Sequence, residues 1–410
     1  MREQLKIGLI ADVHLRATQY GNYARRSQIC KTLCNLIEAA AERGVKYILC
    51  AGDFLDSNSP GNKIVCEDIP KIDKLLRNLG VSLIVSKGNH DTASPAWYNI
   101  IPGYVEEFGN SEKWGFASPG IVPLPHGKNV NIVPGLNVFG FDFISEDYFR
   151  EVTTLPDMFA NTNIVMAHGS IKDLCGYPTE TAPTAQEIAD AMKEHQECQL
   201  LVVGHIHKKK VFSLHGNQRI ISPGSVDYVS MDEFNEPKSL TCAVFSKFDS
   251  DAGPKYILTD TEEVQYKHTE VVSARIETET IADVFIDLVR ETSEKTDVGV
   301  IAYCMYSPSV KEFMHKVTAF VNERNSASPG CITLVTRLLP GKDKEYAEVD
   351  ARELKLGPVV FFAEHAGQFI EDAEQRSRMM DLCCHILAAN SDHKQVIEDY
   401  VLKHTNSIIV

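Results

Sequence analysis

At 410 residues and 44% hydrophobic, the chain is long enough for two or three domains and apolar enough to bury a substantial core. Its 41 basic and 56 acidic residues leave a formal net charge of −15, which excludes the uniformly basic surface of a free-standing nucleic-acid binder. No apolar run approaches the roughly 18 residues of a membrane span, and none at the start resembles a secretory leader, so a cytoplasmic protein that is neither secreted nor membrane-bound is expected.

The first apolar run, Ile7-Gly8-Leu9-Ile10-Ala11, is short and rich in branched residues, as in a strand buried on both faces, and it ends at Asp12-Val13-His14. Residues 23–43 then space Ile29, Leu33, Leu36, Ile37 and Ala40 at helical intervals and stop at Gly44. A second strand run, Tyr47–Ala51, ends at Gly52-Asp53. A second helix, residues 64–79, stops at Gly80, and Leu83-Ile84-Val85 leads to Gly88-Asn89-His90-Asp91. This βαβαβ start predicts a mostly parallel sheet. Further on, Ile164-Val165-Met166 leads to Ala167-His168. Thr184-Ala185-Gln186-Glu187 is a capping box for a helix reaching about His195, and Leu200-Leu201-Val202-Val203 delivers Gly204-His205-Ile206-His207. Short strands follow at 211–214, 219–221 and 241–245, with Gly216-Asn217 as a hairpin turn and 249–254 as a polar turn. Residues 268–274 read as a crossing into a second unit. That unit has helices at 281–291 and 309–322 and strands at 298–305 and 331–338. Beyond Leu356-Gly357-Pro358, two helices with a wide apolar stripe are expected, at about 368–390 and 392–404. The 11 cysteines are an odd number set within apolar patterns and read as reduced thiols, the pair Cys383-Cys384 included.

Open α/β sheets place ligands just beyond the carboxyl ends of their strands, so five strand ends are expected to converge on one site. Asp12 and His14, two apart on an extended segment, would point the same way and share a cation. His205 and His207 repeat the spacing, and Asp53 falls between the two groups as a bridging carboxylate. Imidazole with carboxylate suits Mn, Fe, Zn or Co better than Mg or Ca. A single four-coordinate ion would leave donors idle, so two are expected. Ions roughly 3.5–4 Å apart can clamp both oxygens of an in-line displacement at phosphorus. A lone GD or HxH is usually a turn or a surface pair; here every piece ends a strand run.

The order Asp12-Val13-His14, Gly52-Asp53-Phe54-Leu55-Asp56, Gly88-Asn89-His90-Asp91, His168 and Gly204-His205-Ile206-His207 resembles that of the calcineurin-like metallophosphoesterases. The resemblance implies a four-layer α/β/β/α sandwich. One metal would take Asp12, His14, Asp53 and His207, and the other Asp53, Asn89, His168 and His205. His90 would be the catalytic histidine outside both shells, oriented by Asp91. Residues 222–233, followed by Pro237-Lys238, resemble the stretch after the last ligands in SbcD-type nucleases, subunits of double-strand-break repair complexes. Val226-Asp227 replaces the apolar-proline pair expected there, and Asp56 stands where some relatives carry a second catalytic histidine.

That closer resemblance implies a nuclease domain at 1–268, a small α/β capping domain at 269–356 and C-terminal helices at 357–410 that dock on an SMC-like ATPase. It implies a manganese enzyme, with iron, zinc or magnesium as alternatives. Its action would be 3′-to-5′ double-strand exonuclease and single-strand endonuclease on DNA, in repair, recombination or replication, at the nucleoid. A homodimer through residues 64–108 is also implied. Lys208, Lys209, Lys210, Arg25 and Arg26 are the candidate contacts to DNA phosphates. A phosphodiesterase of a small molecule such as a cyclic nucleotide would share every ligand, but would not need the residues beyond 268.

Overall fold

The computed structural model describes residues 3–57, 61, 63–91, 119–124, 126–175, 181–251, 253–327 and 332–338. Its uninterrupted apolar runs form the centres of two sheets. In the first, β1 (Gln4–Ile10), β2 (Tyr47–Ala51), β3 (Ser82–Ser86) and β4 (Gly120–Pro123) are parallel neighbours. In the second, β6 (Leu136–Gly140), β7 (Ile164–His168), β8 (Leu200–Gly204) and β10 (Arg219–Pro223) are parallel, with β5 (Lys128–Val133) and β9 (Lys209–Ser213) antiparallel at the edges. β11 (Leu240–Ser250) and β12 (Gly253–Val264) extend the first sheet antiparallel beyond β1. The six-stranded orders are β12-β11-β1-β2-β3-β4 and β5-β6-β7-β8-β10-β9.

The two-residue period of a strand divides each run between two cores. Ile7, Leu9, Leu49, Ile84 and Phe245 meet Val138, Ile164, Met166, Leu200 and Val202 between the sheets. Their neighbours face outward. Ile10, Ile48, Cys50, Leu83 and Val85 pack under α1 (Ala24–Glu42) and α2 (Ile69–Leu79). Val165, Ala167, Leu201 and Val203 pack under α3 (Glu146–Thr154) and α4 (Ala185–Met192). The result is the expected four-layer α/β/β/α sandwich, with each fully buried Ile, Leu or Val contributing roughly 1.5–3 kcal/mol.

Helix ends follow the capping signals with two differences. Both halves of the Thr184–Glu187 capping box form, but α4 stops at Met192 rather than His195. The Gln218 amide Nε2 sits on the carbonyls of Met192, His195 and Cys198, at 2.7, 3.1 and 2.9 Å, and turns the chain into β8. The second helix opens with a π turn, Ile64–Asp68, before α2.

The segment expected as a crossing is instead a strand. β13 (Glu270–Ile276), β14 (Val300–Tyr306) and β15 (Ile332–Leu338) form a parallel three-stranded sheet, and α5 (Glu279–Lys295) and α6 (Lys311–Ala327) cover one face. Its other face carries Val271, Ile301, Tyr303 and Val335 against Tyr20, Tyr228 and Phe234 of the larger sandwich. The described residues from 3–175 and 181–338 accordingly fall in one compact unit. The expected C-terminal helices and the remainder of the small domain lie outside the described residues. Among the described residues no helix is long and apolar enough to cross a membrane.

Candidate metal centre

The loops after β1, β2, β3, β7 and β8 are joined to one another by backbone hydrogen bonds. Asp12 N donates to Gly52 O (3.1 Å), His14 N to Asp53 O (2.9 Å) and Leu15 N to Phe54 O (3.0 Å), so the first two loops run side by side. His90 N donates to Asp53 Oδ1 (2.9 Å), and His205 N to both oxygens of Asp12 (3.0 and 3.1 Å). These loops are not extended. Asp12, His14, Asp53, His205 and His207 have φ of 53°, 48°, 50°, 100° and 28°. The side chains of Asp12 and His14 converge because both residues turn left-handed, not because they alternate along a strand. Such backbone costs about 1–3 kcal/mol per residue and is concentrated where function needs a geometry the chain would not otherwise take. The glycines before them serve close approach: a Cβ at Gly52 would strike the His168 ring, at Gly88 the Asp53 carboxylate, and at Gly204 the Ala51 carbonyl.

Three overlapping groups of donors result among the described residues, and two of them hold the inward-facing imidazoles. Asp12, His14 and His207 form one, Asp53, His168 and His205 the other, with the ligand atoms of each within 4.8 Å of one another. In the first, His14 Nε2 lies 3.3 Å from His207 Nε2 and His207 Nε2 lies 3.8 Å from Asp12 Oδ1. In the second, Asn89 Oδ1 lies 2.9 Å from His168 Nε2 and 3.0 Å from His205 Nδ1. Asp53 Oδ2 stands between them, 3.5 Å from His14 Nε2 and 3.3 Å from His168 Nε2. Donors each about 2.0–2.2 Å from a cation at tetrahedral or octahedral angles are roughly 3–3.5 Å apart; here the spacings run from 2.9 to 3.8 Å.

Each imidazole is also fixed from behind. His14 Nδ1 lies 3.1 Å from Asp56 Oδ1, His168 Nδ1 2.9 Å from Ala51 O, and His207 Nδ1 2.9 Å from Glu233 Oε1. His205 is reversed, with Nε2 3.3 Å from Glu146 Oε1 and Nδ1 inward. An acceptor on the outer nitrogen places the proton there and leaves the inner lone pair for a metal. The donor set therefore fits two divalent ions.

The electrostatics agree. Burial raises the Asp12 carboxyl and lowers His14. Burial also opposes ionisation of Asp53, yet His168 and His14 hold its carboxyl well below the usual range. Burial disfavours a charged His168, but Asp53 outweighs it and raises His168 to about 9. His205 falls to about 4 through burial and the neighbouring His168. Asp53 thus draws positive charge into the centre, while burial opposes charge on Asp12, His14 and His205.

Several expected roles change. His90 has a ring nitrogen within 4.8 Å of the ligand atoms of His14 and Asp53, but its Nδ1 is held by the Asp56 main-chain oxygen at 2.9 Å. The expected orienting residue, Asp91, instead accepts the backbone N–H groups of Phe54, Leu55 and Gly88 at 3.2, 2.9 and 2.9 Å, and so locks the second loop to the third. Burial, with Asp53 adding to it, raises Asp91 to about 7.

Arg25 is not a DNA contact. It is 0% exposed and donates to Gln19, Gln28 and Thr269 at 2.8 Å each, with Nη2 3.4 Å from Asp227. Asp227, which with Val226 stands in place of the expected apolar-proline pair, also accepts from Thr32 (3.1 Å) and Thr269 (2.7 Å). The sequence departure is thus one half of a buried charge pair. Arg26 is held by Asp68 and Glu67, and Lys209 by Glu263 and Ser239. Lys208 and Lys210 remain exposed beside the last ligand. Sequence reasoning gave no supporting role to Asp56, Glu146 or Glu233. Asp56 and Glu233 lay inside quoted motifs; Glu146 opens α3 behind the N-cap Ser145, a helix start that was not read.

Residues 5–209 match the family of calcineurin-like phosphoesterases. The DNA double-strand break repair protein Mre11 of Sulfurisphaera tokodaii is 25% identical over 266 residues, covering 61% of this chain and 64% of that protein. Mre11 of Sulfolobus acidocaldarius is 25% identical over 230 residues, covering 55% and 56%. The chain therefore spans less than two thirds of the length of these relatives. Among solved structures, a dimetal phosphatase from Danio rerio aligns with 64% of this chain and 99% of its own, at a TM-score of 0.39 and 10% identity.

Proposed function

Since the chain belongs to the calcineurin-like phosphoesterase family, we propose that it is a two-metal DNA nuclease of double-strand-break repair. The observation that carries the reading is the pair of donor groups with the Asp53 carboxylate between them, 3.5 Å from His14 Nε2 and 3.3 Å from His168 Nε2, each imidazole tied from behind by an acceptor. Asp12, His14, Asp53 and His207 would hold one ion and Asp53, Asn89, His168 and His205 the other, with manganese as the proposed working metal. The chemistry such ions supply when bound is polarisation of a phosphoryl oxygen and activation of water at neutral pH.

The chain itself contributes position and a proton. Asp53 holds the two donor groups in register through one carboxylate. His90 keeps its Nδ1 proton on the Asp56 carbonyl, which leaves Nε2 to protonate the departing 3′ oxygen, and its side chain is 42% exposed, so substrate can reach it. General acid assistance of this kind is worth about 10²–10⁴ in rate. Lys208 and Lys210 follow the last ligand and offer sequence-independent contacts to DNA phosphates.

Support for DNA over a small phosphodiester comes from the repair proteins the chain resembles and from the three-stranded unit packed on the segment after the last ligand. The action proposed is 3′-to-5′ exonuclease on duplex ends and endonuclease on single strands. It would take place at the nucleoid, with an SMC-like ATPase bound through residues 357–410 and with a second copy of the chain. Manganese-loaded protein should degrade linear duplex DNA. DNA left intact by the protein alone and with its ATPase, together with hydrolysis of a cyclic dinucleotide, would overturn the reading.

A further inference from the structure

Glu233 and Lys238 are 3% and 4% exposed, so both charges have left water. Burying charges this deeply is unfavourable by several kcal/mol per ion unless every lone pair and proton is satisfied. Here they are. Glu233 Oε1 accepts from Ser230 N (2.9 Å) and Ser230 Oγ (3.2 Å) and faces His207 Nδ1 at 2.9 Å. Its Oε2 accepts from Lys238 Nζ (2.7 Å) and from the Ser225 hydroxyl. Lys238 Nζ also reaches Ser225 Oγ (2.6 Å) and lies 4.9 Å from the centre of the Tyr228 ring. Of these partners of Glu233, only His207 lies outside residues 225–238.

The other side of the same segment is apolar and belongs to a different contact. Tyr228 and Phe234 pack against Val271, Ile301, Tyr303 and Val335 of the three-stranded sheet. The Phe234 ring lies 5.4 Å from that of Tyr303 and 5.8 Å from that of Tyr228. Glu233 ends the short 3-10 turn Met231–Glu233 and immediately precedes Phe234, so a shift of Phe234 carries the Glu233 carboxylate with it.

We propose that Glu233 and Lys238 are positioning residues that hold His207 for the first metal and couple that metal's binding to the seating of the three-stranded unit. The inference rests on the two-metal reading above. A carboxylate on Nδ1 fixes the ring and makes Nε2 the stronger donor; loss of such a partner lowers metal affinity about 10–100-fold. The second metal has no contact with this network through its own histidines, since His168 and His205 are held by Ala51 and Glu146.

The test is a calorimetric titration of the full chain with manganese, with thermal melting by circular dichroism to confirm folding. Wild type should bind two equivalents. Glu233→Gln should weaken one of them about 10–100-fold and leave the other unchanged. Because that variant strands the Lys238 charge, Glu233→Gln with Lys238→Met removes both charges and should give the same selective loss in a folded protein. Tyr303→Ala, which removes the ring packed on Phe234, should weaken the same equivalent by a smaller factor. Wild-type affinity at both sites in the folded double variant, or equal weakening of both, overturns the positioning role. A wild-type titration for Tyr303→Ala overturns the coupling. Fewer than two equivalents in the wild type would instead contradict the two-metal reading itself.

Discussion

His14, His168, His205 and His207 each commit one ring nitrogen to a protein acceptor and turn the other inward. His90 differs: its Nδ1 is held by a backbone carbonyl and its side chain is partly exposed. That distinction separates the candidate metal ligands from the proposed proton donor and yields a prediction. His90→Ala should bind two manganese ions with wild-type affinity while DNA cleavage falls about 10²–10⁴-fold, as measured by elemental analysis and by nuclease assay on the same preparation; loss of metal would place His90 in a shell instead. The inward donors were legible because Asp, His and Asn at strand ends are side-chain signals. Their supports were less so. His14 meets Asp56 42 residues on, His207 meets Glu233 26 residues on, and His168 is held by a main-chain oxygen, which leaves no mark in the sequence.

The strands read most clearly were those with both faces buried, where apolar residues run without a break, as in β3, β7 and β8. β5 and β13 are less legible because alternate positions are solvated: Lys128, Asn129 and Asn131 in β5 and Glu270, Ser273 and Arg275 in β13 are exposed, so no unbroken apolar run marks either strand. The left-handed loops were also illegible, since positive φ at aspartate and histidine is imposed by the hydrogen bonds between loops rather than by residue preference. Arg25 shows how an element can mislead. At the start of α1 it reads as a surface cation, yet it packs fully buried against Asp227 and Thr269 and joins the helix to the start of β13. Arg25→Ala should therefore destabilise the protein by about 3–5 kcal/mol in urea unfolding, because Asp227 is left buried without its partner. A change within roughly 0.5 kcal/mol, the usual range for a surface residue, would return Arg25 to the surface.

At the scale of the molecule, the sandwich supplies the centre and the three-stranded unit closes against the segment that follows its last ligands. The net charge of −15 is compatible with a DNA substrate if cations fill the centre and a partner contributes basic surface. The proposed partner is an SMC-like ATPase bound through residues 357–410. Deletion of residues 365–410 should abolish co-purification with such an ATPase while hydrolysis of a small phosphodiester persists; retained co-purification would remove the docking role. The most direct test of the account is anomalous diffraction at the manganese edge from crystals of the full chain grown with manganese. Two peaks about 3.5–4 Å apart are predicted, one against His14 and His207, the other against His168 and His205, with Asp53 between them. A single peak, or none among these residues, would contradict it.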